Sequence, residues 1–197
     1  MSVLSMLKRL IGLLALILLP GSMAYAADGH DVRVLIDISG SMRQNDPQNL
    51  RRPALRMLVG LLQPNTRAGV WTFANWSNPL VPMAEVDKAW KDRAIAASEQ
   101  IQSPGLFTNI ERVLSDATKD WEGQPESHRR NLILLTDGMV DVSKEPGASA
   151  ASRQRILNLM LPKLKQMGIK VHTIALSERA DHQLMKQLST ATGGWYQ

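Results

Sequence analysis

The sequence predicts an α/β fold: a doubly wound, mostly parallel sheet flanked by helices on both faces. Two observations carry that expectation. Short, nearly continuous Val/Ile/Leu runs, the pattern of strands buried on both faces, recur along the chain. Between them lie segments whose apolar residues repeat every 3.6 positions, and this β-α-β-α rhythm implies a parallel sheet with helices on either side. A length of 197 residues suits one domain, or one domain plus a tail, and 44% hydrophobic residues supply a sizeable core.

Residues 32–38, VRVLIDI, read as the first buried strand, and SGSMRQNDP after it as a polar loop. A helix is expected over 48–63, because Ala54, Leu55, Leu58, Leu61 and Leu62 share one face. Pro53 falls near its first turn, where a missing N–H does little harm, and QPN ends it. AGVWTFA, 68–74, is the second strand. NPLVPMAEV carries two prolines and is expected as an edge strand or a loop. The next helix covers 87–102 and buries Trp90, Ala94, Ala97 and Ile101. SPGLFTN interrupts the pattern. A third helix starts near Asn109 and turns Ile110, Val113, Leu114, Ala117 and Trp121 inward.

NLILLTD, 131–137, is another buried strand, and the polar loop GMVDVSKEPGAS follows. A fourth helix over 151–167 places Ile156, Leu157, Met160, Leu161 and Leu164 inward. Pro162 should kink or split it, and Gly168 should cap its end. IKVHTIAL, 169–176, is a strand, DHQLMKQLSTAT a helix, and GGWYQ the start of an extended segment.

Ahead of the domain, Lys8 and Arg9 stand next to LIGLLALILL, an apolar stretch short for a membrane span. Pro20 and Gly21 break it, and Ala24 to Ala26 offer the small residues a signal peptidase accepts. Residues 1–26 are therefore expected to be a secretory signal peptide, with 27–197 the domain; an uncleaved anchor is the other reading. The chain has no cysteine, which excludes a lipoprotein anchor, disulfides and thiolate metal sites. A bacterial periplasmic or cell-envelope address fits an exported chain that relies on its core alone. The net charge is +5, and with Lys8 and Arg9 set aside 21 basic residues face 18 acidic ones. So mild an excess does not argue for nucleic acid. The densest basic groups, LRRPALR and SHRRN, lack interleaved aromatics and read as solvated surface.

In doubly wound folds ligands bind outside the carboxyl ends of the strands. Asp37 lies at that end of the first strand, and Asp137, in LLTDG, at that end of another. Two acids far apart in sequence are thus expected on one rim. Ser39 and Ser41 follow Asp37 at spacings of two, so a tight loop can turn all three side chains inward, with Gly40 allowing the turn. Carboxylate and hydroxyl oxygens without soft donors suit Mg²⁺, Mn²⁺ or Ca²⁺. Thr108, ahead of the third helix, is a fifth candidate, with N-capping as its alternative role. Asp141 and Glu145 read as solvated loop residues or as an extension of the acidic rim. Asp46 reads as a helix cap or turn former. His30, His128, His172 and His182 show no ligand spacing, and the tryptophans fall mostly on faces expected to be buried.

DISGSM, TNI and LLTDG, in this order and at these separations, resemble the von Willebrand factor A (VWA) domain family. That family carries a metal-ion-dependent adhesion site (MIDAS) of pattern DxSxS…T…D. The resemblance covers nearly all of the chain after the leader and implies a Rossmann-like VWA fold. It implies that Ser39, Ser41 and Thr108 offer hydroxyls to a divalent cation, Thr108 directly or through water. Asp37 and Asp137 would balance the charge. Mg²⁺ is the first expectation, with Mn²⁺ and Ca²⁺ as alternatives. One coordination position stays open, and an Asp or Glu carboxylate of a protein partner fills it. SPGLFTN departs from the glycine-rich approach to the threonine, which bears on the loop near Leu106 and Phe107. A final helix normally follows the last strand of the family; it is expected to be lacking here, with more chain after Gln197.

Together these readings point to an exported, metal-dependent protein-binding module and not to an enzyme. A subunit of a larger periplasmic or membrane-bound assembly is the alternative. Membrane association would then run through an uncleaved signal or a region beyond Gln197. A third reading is a Mg²⁺-dependent hydrolase. Aspartyl phosphatases also end their first strand in Asp but need a second Asp two residues on, where this chain has Ser39. No lysine or histidine stands near the motifs as a clear general acid, and ISGSM is not a G-x-S-x-G elbow.

Overall fold

A computed structural model describes residues 29–124 and 128–197. The expected signal segment, 1–26, lies outside the described residues. Five strands form one sheet: β1 (Gly29–Asp37), β2 (Thr66–Phe73), β3 (Ser77–Glu85), β4 (His128–Thr136) and β5 (Lys170–Ala175). Their order is β3-β2-β1-β4-β5. β1 is parallel to β2 and β4, and β4 to β5; β3 runs antiparallel to β2 at one edge. The expected doubly wound, mostly parallel architecture is therefore present.

The strands are joined by α1 (Met42–Asn45), α2 (Arg51–Leu61), α3 (Lys88–Ser98), α4 (Ile110–Thr118), α5 (Ala148–Arg155), α6 (Leu161–Gln166) and α7 (His182–Thr192). Alternation along β1 decides the layers. Val32, Val34 and Ile36 share a core with Leu55, Leu58 and Val59 of α2 and Trp90 and Ala94 of α3. Leu35 faces the other way, into a core with Leu132 and Leu134 of β4, Val113 and Leu114 of α4, and Leu184 and Leu188 of α7. Both faces of β1 are covered, so its sequence is a continuous apolar run instead of an alternation.

Several expectations gain detail. The proline-bearing segment is the edge strand β3, and its register against β2 shifts twice. Pro162 does split the fourth helix. A π-helical turn, Ile156–Met160, separates α5 from α6, and Pro162 sits in the first turn of α6. Residues 195–197 extend along β5, with Thr173 N donating to Trp195 O and Gln197 N to Thr173 O, each at 2.9 Å. The loop expected after β1 contains the single turn α1.

The basic groups need correction. Arg52 and Arg56 are partly exposed, but Arg51 and Arg130 are buried. Arg130 donates to the carbonyls of Met167 and Gln124. Trp71, Trp90 and Trp121 are buried, whereas Trp76 stands out into solvent. Among the described residues no helix is long and apolar enough to cross a membrane.

Candidate metal centre

β1 and β4 are neighbours whose outgoing connections part, one toward β2 and the other toward β5. Their carboxyl ends flank the switch point of the sheet. Asp37 is the last residue of β1, and Asp137 follows β4 directly. The register Ile36↔Leu135 sets Thr136 beside Asp37, and the Thr136 hydroxyl donates to Asp37 Oδ2 at 2.5 Å. Ser39 N donates to Asp37 Oδ1 at 2.8 Å, the turn an Asp side chain makes with the residue two positions on. Ser39 Oγ lies 3.1 Å from Ser41 Oγ, and Ser41 Oγ donates to Asp137 Oδ1 at 3.0 Å. Asp37, Ser39, Ser41 and Asp137 thus form one hydrogen-bonded chain.

Thr108 comes from the α3–α4 loop. Its N–H donates to Asp141 O at 2.7 Å and its carbonyl accepts from Asp141 N at 3.1 Å. A side chain on Gly138 would come within 3.4 Å of Thr108 Oγ1, so the threonine stands beside the Asp137 loop. The capping role falls to its neighbour: Asn109 Oδ1 accepts from Arg112 N at 2.9 Å at the start of α4. The Thr108 hydroxyl is left out of the cap. Asp141 serves through its backbone, while its carboxylate is exposed and accepts from Ser149 Oγ.

The glycine that matters differs from the one expected. Gly40 has no left-handed backbone; Met42 N and Arg43 N bond back to Ser39 O and Gly40 O, so the turn is the opening of α1. At Gly105 a Cβ would lie 2.2 Å from Ala74 Cβ and 3.0 Å from Ile38 O. Only glycine lets this loop press against the residue before Ser39, where Gly105 N donates to Ile38 O. Two residues on, Phe107 has φ +61°, a left-handed backbone that costs a non-glycine residue about 1–3 kcal/mol and is tolerated mainly at functional sites.

Asp37 and Asp137 are both buried, and among the described residues neither has an ion-pair partner within 4 Å. Burial pushes the Asp37 carboxyl up to about 6; hydrogen bonds from Ser39 and Thr136 resist the rise, and the Asp137 carboxylate adds to it. Arg51 does not relieve this. Its Nη1 donates to the Asp37 backbone carbonyl at 2.5 Å, its Nε to Asp46 Oδ2 at 2.8 Å and its Nη2 to Ser103 Oγ at 2.9 Å. Arg51 therefore ties the end of β1 to the loop that carries Thr108. Arg43 Nε, bonded to Ser103 O, and Asn49 Nδ2, bonded to Ile101 O, fasten the same seam. Asp46 also accepts from Leu50 N at 2.7 Å and from Arg51 N at 3.3 Å, so it braces the start of α2 from the preceding turn, while the N-cap position itself is Leu50.

The donor set is two carboxylates and three hydroxyls, with no sulfur or imidazole. It fits a hard divalent cation, whose charge would offset two buried acids. No group of three His, Asp or Glu side chains suited to a metal occurs among the described residues, so such an ion would lean on neutral hydroxyls.

Three contributors escaped the sequence reading. Asn45 Nδ2 donates to Asp137 Oδ2 at 2.8 Å. Its signal was its place four residues after Ser41, one helical turn away, had the turn been read. Thr136 was visible only through strand register. Arg51 looked like one more surface arginine.

The model of the von Willebrand factor type A domain matches residues 31–196. Solved structures agree in fold. A von Willebrand factor type A protein from Catenulispora acidiphila superposes with a TM-score of 0.69 at 18% identity, covering 87% of this chain and 38% of that one. Proximal thread matrix protein 1 from the mussel byssus, in a structure "with zinc occupied MIDAS motif", gives 0.63 at 20% identity, covering 86% of this chain and 43% of that one. An aerotolerance-related membrane protein from Bacteroides fragilis gives 0.62 at 17% identity, covering 85% of this chain and 90% of that one. The chain thus spans well under half the length of the first two.

Proposed function

The chain belongs to the von Willebrand factor type A domain family, and from that premise we propose that it is an exported, metal-dependent protein-binding module. Asp37, Ser39, Ser41, Thr108 and Asp137 hold a divalent cation, Mg²⁺ in the first instance. One observation carries this reading: two buried acids, without a counter-charge among the described residues, are linked through Ser39 and Ser41, with Thr108 beside them. Burying a carboxylate unpaired is costly, and a bound cation is the simplest way to meet that cost. The zinc in the mussel neighbour's site supports a divalent ion here without specifying which.

With most donors neutral, the ion stays electrophilic. An acidic side chain of a protein partner completes its shell, and that contact is the module's work. Asp37 and Asp137 hold negative charge toward the ion, while Thr136, Asn45 and Arg51 fix where those carboxylates and the Thr108 loop stand. Residues 1–26 direct export, and the cell envelope is the proposed location, in keeping with the membrane protein among the structural neighbours.

Calorimetric titration of the EDTA-stripped chain with Mg²⁺ and Mn²⁺ tests the core of the proposal. One saturable site is expected, lost in Asp37→Ala and in Asp137→Ala. Equal binding by these variants, or none by the parent chain, overturns it.

A further inference from the structure

The described residues expose few large apolar side chains, and three of them ring the candidate centre. Trp76, Leu106 and Met139 are 66%, 70% and 61% exposed, while Ile95 and Leu159 lie away on helical segments. Exposed apolar residues scattered singly need no explanation. These come from three different loops that converge on one rim.

Each is fixed to the centre by backbone. Leu106 follows Gly105, which bonds to Ile38 and bridges Ser39, and it precedes Thr108 by two residues. Left-handed Phe107 lies between exposed Leu106 and Thr108, which is 5% exposed, so the loop holds one side chain out and the next ligand in. Met139 is two residues past Asp137, on a loop held by Asp181 N to Gly138 O and by Asp141 to Thr108. Trp76 closes the turn after β2: Ala74 N donates to Trp76 O, and Ala74 O accepts from Asn109 N, next to Thr108. The Arg112 guanidinium, 5.6 Å from the Trp76 ring, anchors the indole over the start of α4. The loop QSPGLFTN between them carries no charged residue.

From this arrangement we infer that the partner segment presents its carboxylate between large apolar residues, which seat on Trp76, Leu106 and Met139. The inference rests on the metal-dependent reading above and adds the chemistry of the partner. Charge complementarity selects this occupant. A divalent ion held by Asp37 and Asp137 would make a neutral centre that takes one carboxylate; of the guanidiniums at this rim, Arg112 is paired with Asp116 and Arg43 is bonded to Ser103 O, so apolar side chains and not further acids match the rest of the rim. Apolar flanks exclude water around the ion–carboxylate contact, and in a drier setting that contact is stronger. A tryptophan at the rim suits a binding hot spot.

The test pans a displayed peptide library, with one fixed central Asp and randomised neighbours, on the full chain saturated with Mg²⁺. Leu, Phe, Trp or Met should be enriched within a few positions of the Asp. A synthetic copy of an enriched peptide should bind Trp76→Ser/Leu106→Ser/Met139→Ser roughly tenfold or more weakly than the parent chain. Mg²⁺ affinity of that variant should be unchanged, which shows it folded. Metal-dependent selection with small, polar or charged flanks, or enriched peptides that bind the triple variant equally, overturns the inference and leaves the metal reading standing. Selection that survives EDTA and Asp→Asn in the peptide overturns both.

Discussion

The two ends of β1 bury charge in opposite ways. At the amino end, Asp31 and Arg33 are both buried, and every charge has company. Arg33 makes a two-pronged contact with Asp120, donates to Ala117 O and lies 3.5 Å from the centroid of the Trp121 ring. Trp121 Nε1 in turn donates to Asp31 Oδ2 at 2.8 Å. At the carboxyl end, Asp37 sits on the same side of the same strand, buried beside Asp137, with hydrogen bonds but no cationic side chain within 4 Å among the described residues. A buried charge that serves architecture comes with its counter-charge in the chain. One that lacks it takes up a proton more readily, as Asp37 does, or, on the reading proposed above, meets a charge from outside.

Removing one partner from the paired end should have the largest effect. Arg33→Ala strips the guanidinium from Asp120 and leaves buried Asp31 only Arg67, 3.9 Å away, and is expected to cost about 3–5 kcal/mol in urea unfolding, with Mg²⁺ affinity of the folded fraction unchanged. Destabilisation below about 1 kcal/mol would erase the contrast between the two ends.

pH separates them next. The folded-state pKa of Asp37, about 6, lies above its ordinary 3.8, so the metal-free fold binds a proton more tightly than the unfolded chain does. Its contribution is full below pH 4 and is lost as pH rises through 6, on the order of 3 kcal/mol. His172 works against it. Burial, with the Lys170 charge adding, lowers its pKa from 6.5 to about 4, so its contribution is lost as pH falls through that same window. Urea midpoints of the parent chain minus those of Asp37→Asn isolate the carboxyl. In EDTA the parent should fall further below Asp37→Asn as pH rises from 4 to 7; in saturating Mg²⁺ it should instead rise above that variant over the same range. The same slope in both conditions would mean that no cation meets Asp37.

Smaller effects test the supports. Arg51→Lys keeps a charge for Asp46 but loses the fork to Asp37 O and Ser103, and should weaken Mg²⁺ binding about 10–100-fold while stability changes less. Asn45→Ala removes only the amide contact to Asp137 and should cost about 1 kcal/mol of Mg²⁺ affinity, read by calorimetry.

The sequence carried the fold well because the sheet is covered on both faces. Continuous runs such as VRVLID have few alternative placements, and Asp37 and Asp137 inherit their rim from the ends of those runs. Pro162 told where the fourth helix would divide. What stayed hidden depends on partners far along the chain. Arg51 is defined by Ser103 and Asp37, neither near it in sequence. Asn45 sits in a turn too short to show a helical period. Gly105 matters because of Ala74 and Ile38, and nothing in SPGLFTN announces them.

The prolines of β3 reach past this chain to its neighbours. Pro79 and Pro82 have no N–H to offer, and the register slips beside them further disturb the outer ladder. A stray strand from another molecule finds that flank a poor template. In a crowded compartment this flank resists fibril-like stacking, and lateral growth of the sheet is left to the β5 side, where residues 195–197 already lie.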